Sequence, residues 1–224
     1  MITADRFREI AFWSAELTEE EVDRARRGVS EKTFAKGAYI CHKGDKFDAW
    51  TGVISGLVRL GTVSQKGKAI TLAGMRAGIW FGEGSVLKNE SRQYDLVALR
   101  EVRLAMMNLG TFFWLFENSA GFNRFLVKQF NERIGQFIAL VEYDRTLGAT
   151  ARLARNIAWL CNPVLAPKAG NHLDITQEEI GLISGISRQA ANQALQVLEK
   201  RKLVRVEHGG ITALDVGKLN RYED

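Results

Sequence analysis

Cysteine, proline and histidine are scarce in this 224-residue chain, which has two, two and three of them. Cys41 and Cys161 lie far apart and match neither a disulfide framework nor a metal-ligand spacing, which fits a reducing compartment. Two thiols cannot supply the four ligands of an iron–sulfur cluster, and with only His42, His172 and His208 there is no case for haem or another metal. Long apolar runs are absent as well, so no membrane span is expected. The opening MITADRFREIAFW lacks the apolar core of a signal peptide, and the expected location is the cytoplasm. Excess charge is modest: +5 overall with a pI near 9.3, and from Thr150 onward ten Lys and Arg against eight Asp and Glu. A polyanionic partner is favoured only weakly by bulk charge, and any surface for one must come from placement. With 46% apolar residues the chain can bury one large core or two small ones.

The most informative stretch is Leu173 to Arg201. Thr176 followed by Glu179 is a capping box, flanked by Ile175 and Ile180 at hydrophobic-staple positions, so a helix should begin at Gln177. Ser184-Gly185-Ile186 ends it, and Ser187 can cap a second helix. On that second helix Ala191, Ala194, Leu195 and Leu198 recur at helical spacing and pack inward, leaving Arg188, Gln189, Asn192, Gln193 and Gln196 outside. Gly181 lets the two helices cross closely. This is the form of a helix-turn-helix, whose second helix enters a major groove, although a solvated αα-hairpin shares the bare pattern. Arg suits the acceptors of guanine, and Gln or Asn suits adenine, so Arg188, Gln189 and Gln193 are candidate base readers. Behind it, Leu203 to Val206 and Ile211 to Leu214 read as strands joined at His208-Gly209-Gly210, the hairpin of a wing. His208 and the turn amides can touch phosphate, and Lys200, Arg201, Lys202 and Arg205 either add charge there or are a solvated run.

Elsewhere the texture changes by region. Residues 2–29 read as short helices, with Thr18 capping Glu19-Glu20-Glu21. From Lys32 to about Leu109 glycines separate short apolar runs, the signature of an antiparallel barrel or roll, with Gln65-Lys66-Gly67-Lys68 as a hairpin turn between Val63 and Ile70. Within it, Gly82-Glu83-Gly84-Ser85 can open a short helix with free amides, and Arg92 can return as a fork for phosphate or carboxylate. A plain loop with a surface ion pair reads the same way. Asn118 to about Arg145 reads as one long helix. Val127, Phe130, Ile134, Phe137 and Val141 form an a/d seam for a homodimer, and Phe122, Phe125, Leu126 and Ile138 a second stripe facing the roll. A single intramolecular core is the alternative. Leu147 to Asn162 is a further helix closed by Pro163, after a hinge near Asp144 to Ala149.

Taken in that order, the roll, the Gly-Glu cassette, Arg92, the long helix and the winged helix-turn-helix make the chain resemble the Crp/Fnr family of bacterial transcription regulators. The most specific matching residues are Thr176 to Gly181, Gly185-Ile186-Ser187-Arg188, and Thr150-Ala151-Arg152-Leu153-Ala154. The resemblance implies an α+β fold. A β-roll sensor domain would span 1–117, a dimerisation helix and hinge 118–146, and a winged helix-turn-helix domain 147–224. It implies a homodimer on a near-palindromic double-stranded site, with RNA polymerase as a further partner. The residues expected at DNA are Thr176, Gln177, Ser187, Arg188, Gln189, Asn192, Gln193, Lys202 and His208. Those expected at an effector are Gly82, Glu83, Gly84, Ser85, Arg92 and Gln93.

The match thins at the effector. Cyclic-nucleotide sensors of this family follow the Arg with Ser or Thr, where this chain has Gln93 and then Tyr94. The adenine-contacting hydroxyl positions fall near Phe137 and Ile138, which are apolar. The reading is therefore a homodimeric DNA-binding regulator gated by an unidentified small ligand, with cyclic-nucleotide activation as the alternative. A cupin-like enzyme with a helical appendage is a distant third. His42 is the only histidine in the roll, it neighbours Cys41 on what would be opposite faces of a strand, and no catalytic set is apparent, so no enzyme is expected.

Overall fold

The computed structural model describes residues 2–63 and 69–223, without the side chains of 69 and 142–146. The expected turn at Gln65 to Lys68 lies outside the described residues. The chain divides into two compact units, residues 1–62 with 75–131, and residues 63–74 with 132–224. No helix among the described residues is long and apolar enough to cross a membrane.

The first unit opens with α1 (Ala4–Ile10), a 3-10 turn (Phe12–Glu16) and α2 (Glu19–Arg27). Thr18 caps α2 in a full capping box with Glu21, and the three acidic residues of its first turn face the positive end of the helix dipole. The strands are β1 (Val29–Phe34), β2 (Tyr39–Cys41), β3 (Ala49–Ser55), β4 (Leu57–Val63), β5 (Ala69–Arg76), β6 (Trp80–Phe81), β7 (Asp95–Ala98) and β8 (Val102–Asn108). They form two four-stranded sheets, ordered β1-β8-β3-β6 and β2-β7-β4-β5, with antiparallel pairing at β1/β8, β3/β8, β3/β6, β2/β7 and β4/β7. A six-residue helix, α3 (Glu83–Lys88), interrupts the strands after β6.

An aromatic cluster forms the core. Trp13, Trp50, Trp80, Phe7, Phe112 and Phe122 are almost wholly buried. Trp50 and Trp80 lie 4.5 Å apart by ring centroids, and Trp13 stands 5.0 Å from Trp50 and 5.3 Å from Phe122. Each such ring removed from water contributes about 1.5–3 kcal/mol, so this cluster outweighs any surface ion pair of the unit.

The run Leu109 to Asn118 is a helix of its own, α4, which the sequence pattern did not disclose. Asn108 caps it by accepting from the Thr111 amide at 2.8 Å, and its Thr-Phe-Phe-Trp run has the β-branched and aromatic texture of a strand. Ser119 ends it and caps α5 (Ala120–Thr146), a helix of 27 residues. On α5, Phe122, Phe125 and Leu126 are buried in the aromatic core as expected, but Ile138 is 66% exposed and does not share their face. The cause is periodic: twelve residues beyond Leu126, the 100° step of the helix has carried Ile138 away from that stripe.

The second unit holds α6 (Ala149–Leu160), β9 (His172–Leu173), α7 (Gln177–Ile183), α8 (Arg188–Lys200), β10 (Val204–Glu207), β11 (Gly210–Ala213) and α9 (Val216–Asn220). Leu147-Gly148 breaks the chain between α5 and α6, inside the expected hinge. The core is built from Leu153, Ile157, Ile180, Ala191, Leu195, Leu198, Ile211 and Leu219, each at most 1% exposed. Asn162 Nδ2 donates to Glu132 Oε2 at 3.1 Å, and Arg155 Nε to the Tyr222 carbonyl at 3.3 Å, closing the unit on its C-terminal segment.

Candidate nucleic-acid interface and effector site

Thr176 caps α7 in a complete capping box. It accepts from the Glu179 amide at 3.2 Å, while its own amide donates to Glu179 Oε2 at 2.8 Å. Ile175 and Ile180 are buried beside it as the staple. Gly185 takes a φ of +65°, and Ser187 accepts from the Ala190 amide at 3.1 Å to start α8. Gly181 is needed where the helices cross: a Cβ there would stand 3.2 Å from both the Ala191 Cβ and the Ile186 carbonyl oxygen. With Ala191, Ala194, Leu195 and Leu198 buried, Arg188, Gln189, Asn192 and Gln193 are exposed together on the first two turns of α8, as is Gln196 beyond them.

This face holds one guanidinium and three amides with no element of its own unit over them, the chemistry that pairs bidentately with guanine and adenine edges. The Ser187 oxygen accepts in that cap and leaves its hydroxyl proton out of it, whereas the Thr176 hydroxyl donates to Glu179 Oε2 at 2.9 Å. Gln177 is half-buried. Lys202 is exposed just past α8 with a φ of +57°, a conformation that favours glycine. The wing is a three-stranded sheet, β10-β11-β9, with His208 exposed at its turn. Its third strand, β9, escaped the sequence reading because two residues carry no alternation to detect.

In the first unit the predicted effector residues separate. Gly82 caps α3 with a φ of +96°, and Arg92 returns to it: a Cβ on Gly82 would lie 2.4 Å from both terminal guanidinium nitrogens. The fork is already engaged, however. Nη1 donates to the Gly82 carbonyl at 3.2 Å and the Tyr94 hydroxyl at 3.3 Å, and Nη2 to the Ala49 carbonyl at 3.0 Å. Arg92 is fully buried between the rings of Phe47 and Tyr94, at 5.2 and 6.0 Å, and only its Nε is without a hydrogen bond. Glu83, 3% exposed, accepts from Trp50 Nε1 at 3.3 Å. Ser85 is half-buried, Gly84 is exposed, and Gln93 turns outward to the Ser91 carbonyl at 3.1 Å, away from the guanidinium. Phe47, Trp50 and Tyr94, which line this site, were missed, and only the position of Tyr94 two residues past Arg92 pointed to one of them. Burial pushes the nearby Cys41 thiol up to about 11, partly offset by Arg92, so it stays protonated at neutral pH. Among the described residues no group of three or more His, Cys, Asp and Glu is placed to hold a metal.

Along α5, Val127, Ile134, Phe137 and Val141 are 54–66% exposed, whereas Phe130 is half-buried and packs partly against the aromatic core. Phe137 and Ile138, the positions matched to adenine contacts, are both among the exposed apolar residues.

A β-roll followed by a winged helix-turn-helix defines a class of DNA-binding regulator. Residues 31–119 match the cyclic nucleotide-binding domain model, and residues 151–222 the Crp-like helix-turn-helix domain model. The chain is 26% identical over 203 residues to the cyclic AMP receptor protein of Thermus thermophilus, covering 91% of this chain and 92% of that protein. It is 23% identical over 194 residues to the cAMP-activated global transcriptional regulator Vfr of Pseudomonas aeruginosa, covering 84% and 91%. In fold it is similar to the c-di-GMP-responsive global regulator CLP of Xanthomonas campestris, with a TM-score of 0.60 at 19% identity, covering 88% of this chain and all of that one. The chain belongs to the Crp/Fnr family, and is a DNA-binding transcription regulator with a cyclic nucleotide-binding-like domain.

Proposed function

We propose that the protein is a cytoplasmic homodimer that reads a near-palindromic duplex through Arg188, Gln189 and Gln193, and is gated by a small ligand at the roll. The observation that carries this reading is the exposed face of α8, where those residues and Asn192 stand together on a helix fixed from behind by four buried apolar residues. Ser187, Lys202 and His208 supply phosphate contacts, and Thr176 and Gln177 contribute backbone near the start of α7. The dimer uses the exposed apolar residues of α5, because a helix with four such side chains on one seam is stabilised by a second copy. RNA polymerase is the further partner this class implies. The relative Vfr is a transcriptional regulator by name, which supports a non-catalytic role.

The test is selection of bound duplex from a random pool. Recovery of a two-fold-symmetric motif is expected, and no enrichment would sink the reading.

Cyclic-nucleotide activation is the second reading, favoured by the cyclic-AMP-linked names of the two relatives and by the presence of Glu83 and Arg92. Against it stand the guanidinium committed to two carbonyls and a phenol, and the outward Gln93. A cyclic phosphate would have to replace these contacts rather than fill an open fork, leaving buried carbonyls unpaired at about 1–3 kcal/mol each. A different small effector is therefore proposed. Calorimetric titration with cyclic AMP decides: micromolar binding that sharpens DNA affinity would reverse the ranking.

A further inference from the structure

The wing sheet carries a polar row that base reading does not use. His172 on β9 pairs with Thr212 on β11, and Thr212 with Arg205 on β10, so all three side chains share one face of the sheet. The other face holds Leu173, Val204, Ile211 and Ala213, all buried. At the end of β10, Glu207 gathers the row. Its Oε1 accepts from Arg205 Nε at 2.6 Å, and its Oε2 from Thr212 Oγ1 at 3.2 Å. His172 Nδ1 lies 3.2 Å from the same Oε2 and 2.9 Å from Thr212 Oγ1. The Arg205 hydrogen bond first, then that of Thr212 and the charges of Arg205 and His172, hold the Glu207 carboxyl below the ordinary range. Since Thr212 gives its proton to Glu207, both oxygens facing Nδ1 act as acceptors. An imidazole carrying its hydrogen on Nδ1 fits both of them.

The glycines of the turn divide the work around this ring. Gly209 takes a φ of +77°, while Gly210 makes room: a Cβ there would approach His172 Cε1 to 2.7 Å and Nε2 to 2.9 Å. The imidazole thus lies across the bare Cα of Gly210, and the turn that presents His208 leaves from Glu207 and returns at Gly210, both tied to this cluster.

We propose that His172 is a positioning residue for DNA binding, which braces the wing turn through Glu207 and, when protonated, adds a positive charge beside the phosphate the wing meets. Arg205 and Glu207 cancel in the sum over these three side chains, which is zero with a neutral His172 and +1 with an imidazolium. Other charged groups around it are Asp174, two residues further along the chain from His172, and Glu199 of α8, whose Oε1 accepts from the Val206 amide at 2.8 Å. The second imidazole of the wing is His208. The proposal rests on the reading of the wing as a phosphate contact.

The experiment uses the full chain, the duplex recovered by selection and a random-sequence duplex. It is run in a His208→Gln background to remove the other imidazole. Binding is expected to tighten about two- to fivefold on both duplexes between about pH 8 and pH 6, with a salt slope steeper by about 0.9. Adding His172→Gln, whose amide can still bond Thr212, should abolish both changes. In the DNA-free protein, the imidazole NMR titration of His172 should move on Glu207→Gln. A pH profile that His172→Gln leaves unaltered, or a His172 titration indifferent to Glu207, overturns the brace while leaving the regulator reading intact. Absence of binding to any duplex at any pH would overturn both.

Discussion

At the scale of single residues, position separates specificity from general affinity. Arg188 begins α8 on its exposed face, so Arg188→Ala should weaken binding to the selected duplex by about 1–3 kcal/mol and relax preference at one base position. Equal loss on selected and random duplexes in fluorescence anisotropy would remove it from the base readers. Lys202 makes a different case. Its φ of +57° costs a non-glycine residue about 1 kcal/mol, a strain retained at a place where glycine would relieve it. Lys202→Gly should raise the urea midpoint, lower affinity on all sequences alike, and flatten the salt slope by about 0.9. Arg92 is the residue whose type suggested one role and whose surroundings show another. Its two terminal nitrogens tie the start of α3 to the start of β3 through the Gly82 and Ala49 carbonyls. Arg92→Leu should therefore cost the ligand-free protein about 2–4 kcal/mol in urea unfolding, through unpaired buried carbonyls and lost packing between Phe47 and Tyr94. Unchanged stability would return it to the role of an idle anion receptor.

At the scale of elements, the seam on α5 is best tested at residues clear of the aromatic core. Phe130 packs partly into the aromatic core, so charging it confounds assembly with folding. Ile134 and Phe137 are 58% and 54% exposed, and Ile134→Glu with Phe137→Glu should give folded monomers in sedimentation equilibrium, with an unchanged helical signal. A persistent dimer would place the interface on another surface. The elements differ in how far they could be read from residue order. α7 and α8 were legible nearly to the residue because their ends are chemical: a Thr and Glu pair, a glycine with positive φ, and a serine cap. α4 was not, since its Asn108 cap precedes a run of aromatics without polar periodicity, and α9, five residues capped by Asp215, was too short to show one. The effector site was legible as a list of residues and not as an arrangement. Gly82 and Arg92 do meet, but nothing local to Arg92 reports that Ala49, forty-three residues earlier in the chain, supplies the carbonyl that occupies its fork.

At the scale of the whole molecule, the net charge of +5 is too small to drive tight binding wherever phosphates occur, so the proposed homodimer depends on two reading heads used together. In the proposed dimer, two α8 helices related by a two-fold axis would engage major grooves about one duplex turn apart, roughly 34 Å or 10 base pairs. Inserting about 5 base pairs between the half-sites turns one to the opposite face of the duplex, and affinity should fall to that of a single half-site. Inserting about 10 base pairs restores the face and so should recover part of the loss, the remainder being the cost of stretching the protein or bending the DNA. The Ile134→Glu, Phe137→Glu variant should bind all three spacings alike, with the weak affinity of one head. If the unaltered protein also ignored spacing in gel-shift titration, its two copies would not be reading one site jointly, whatever its sedimentation behaviour.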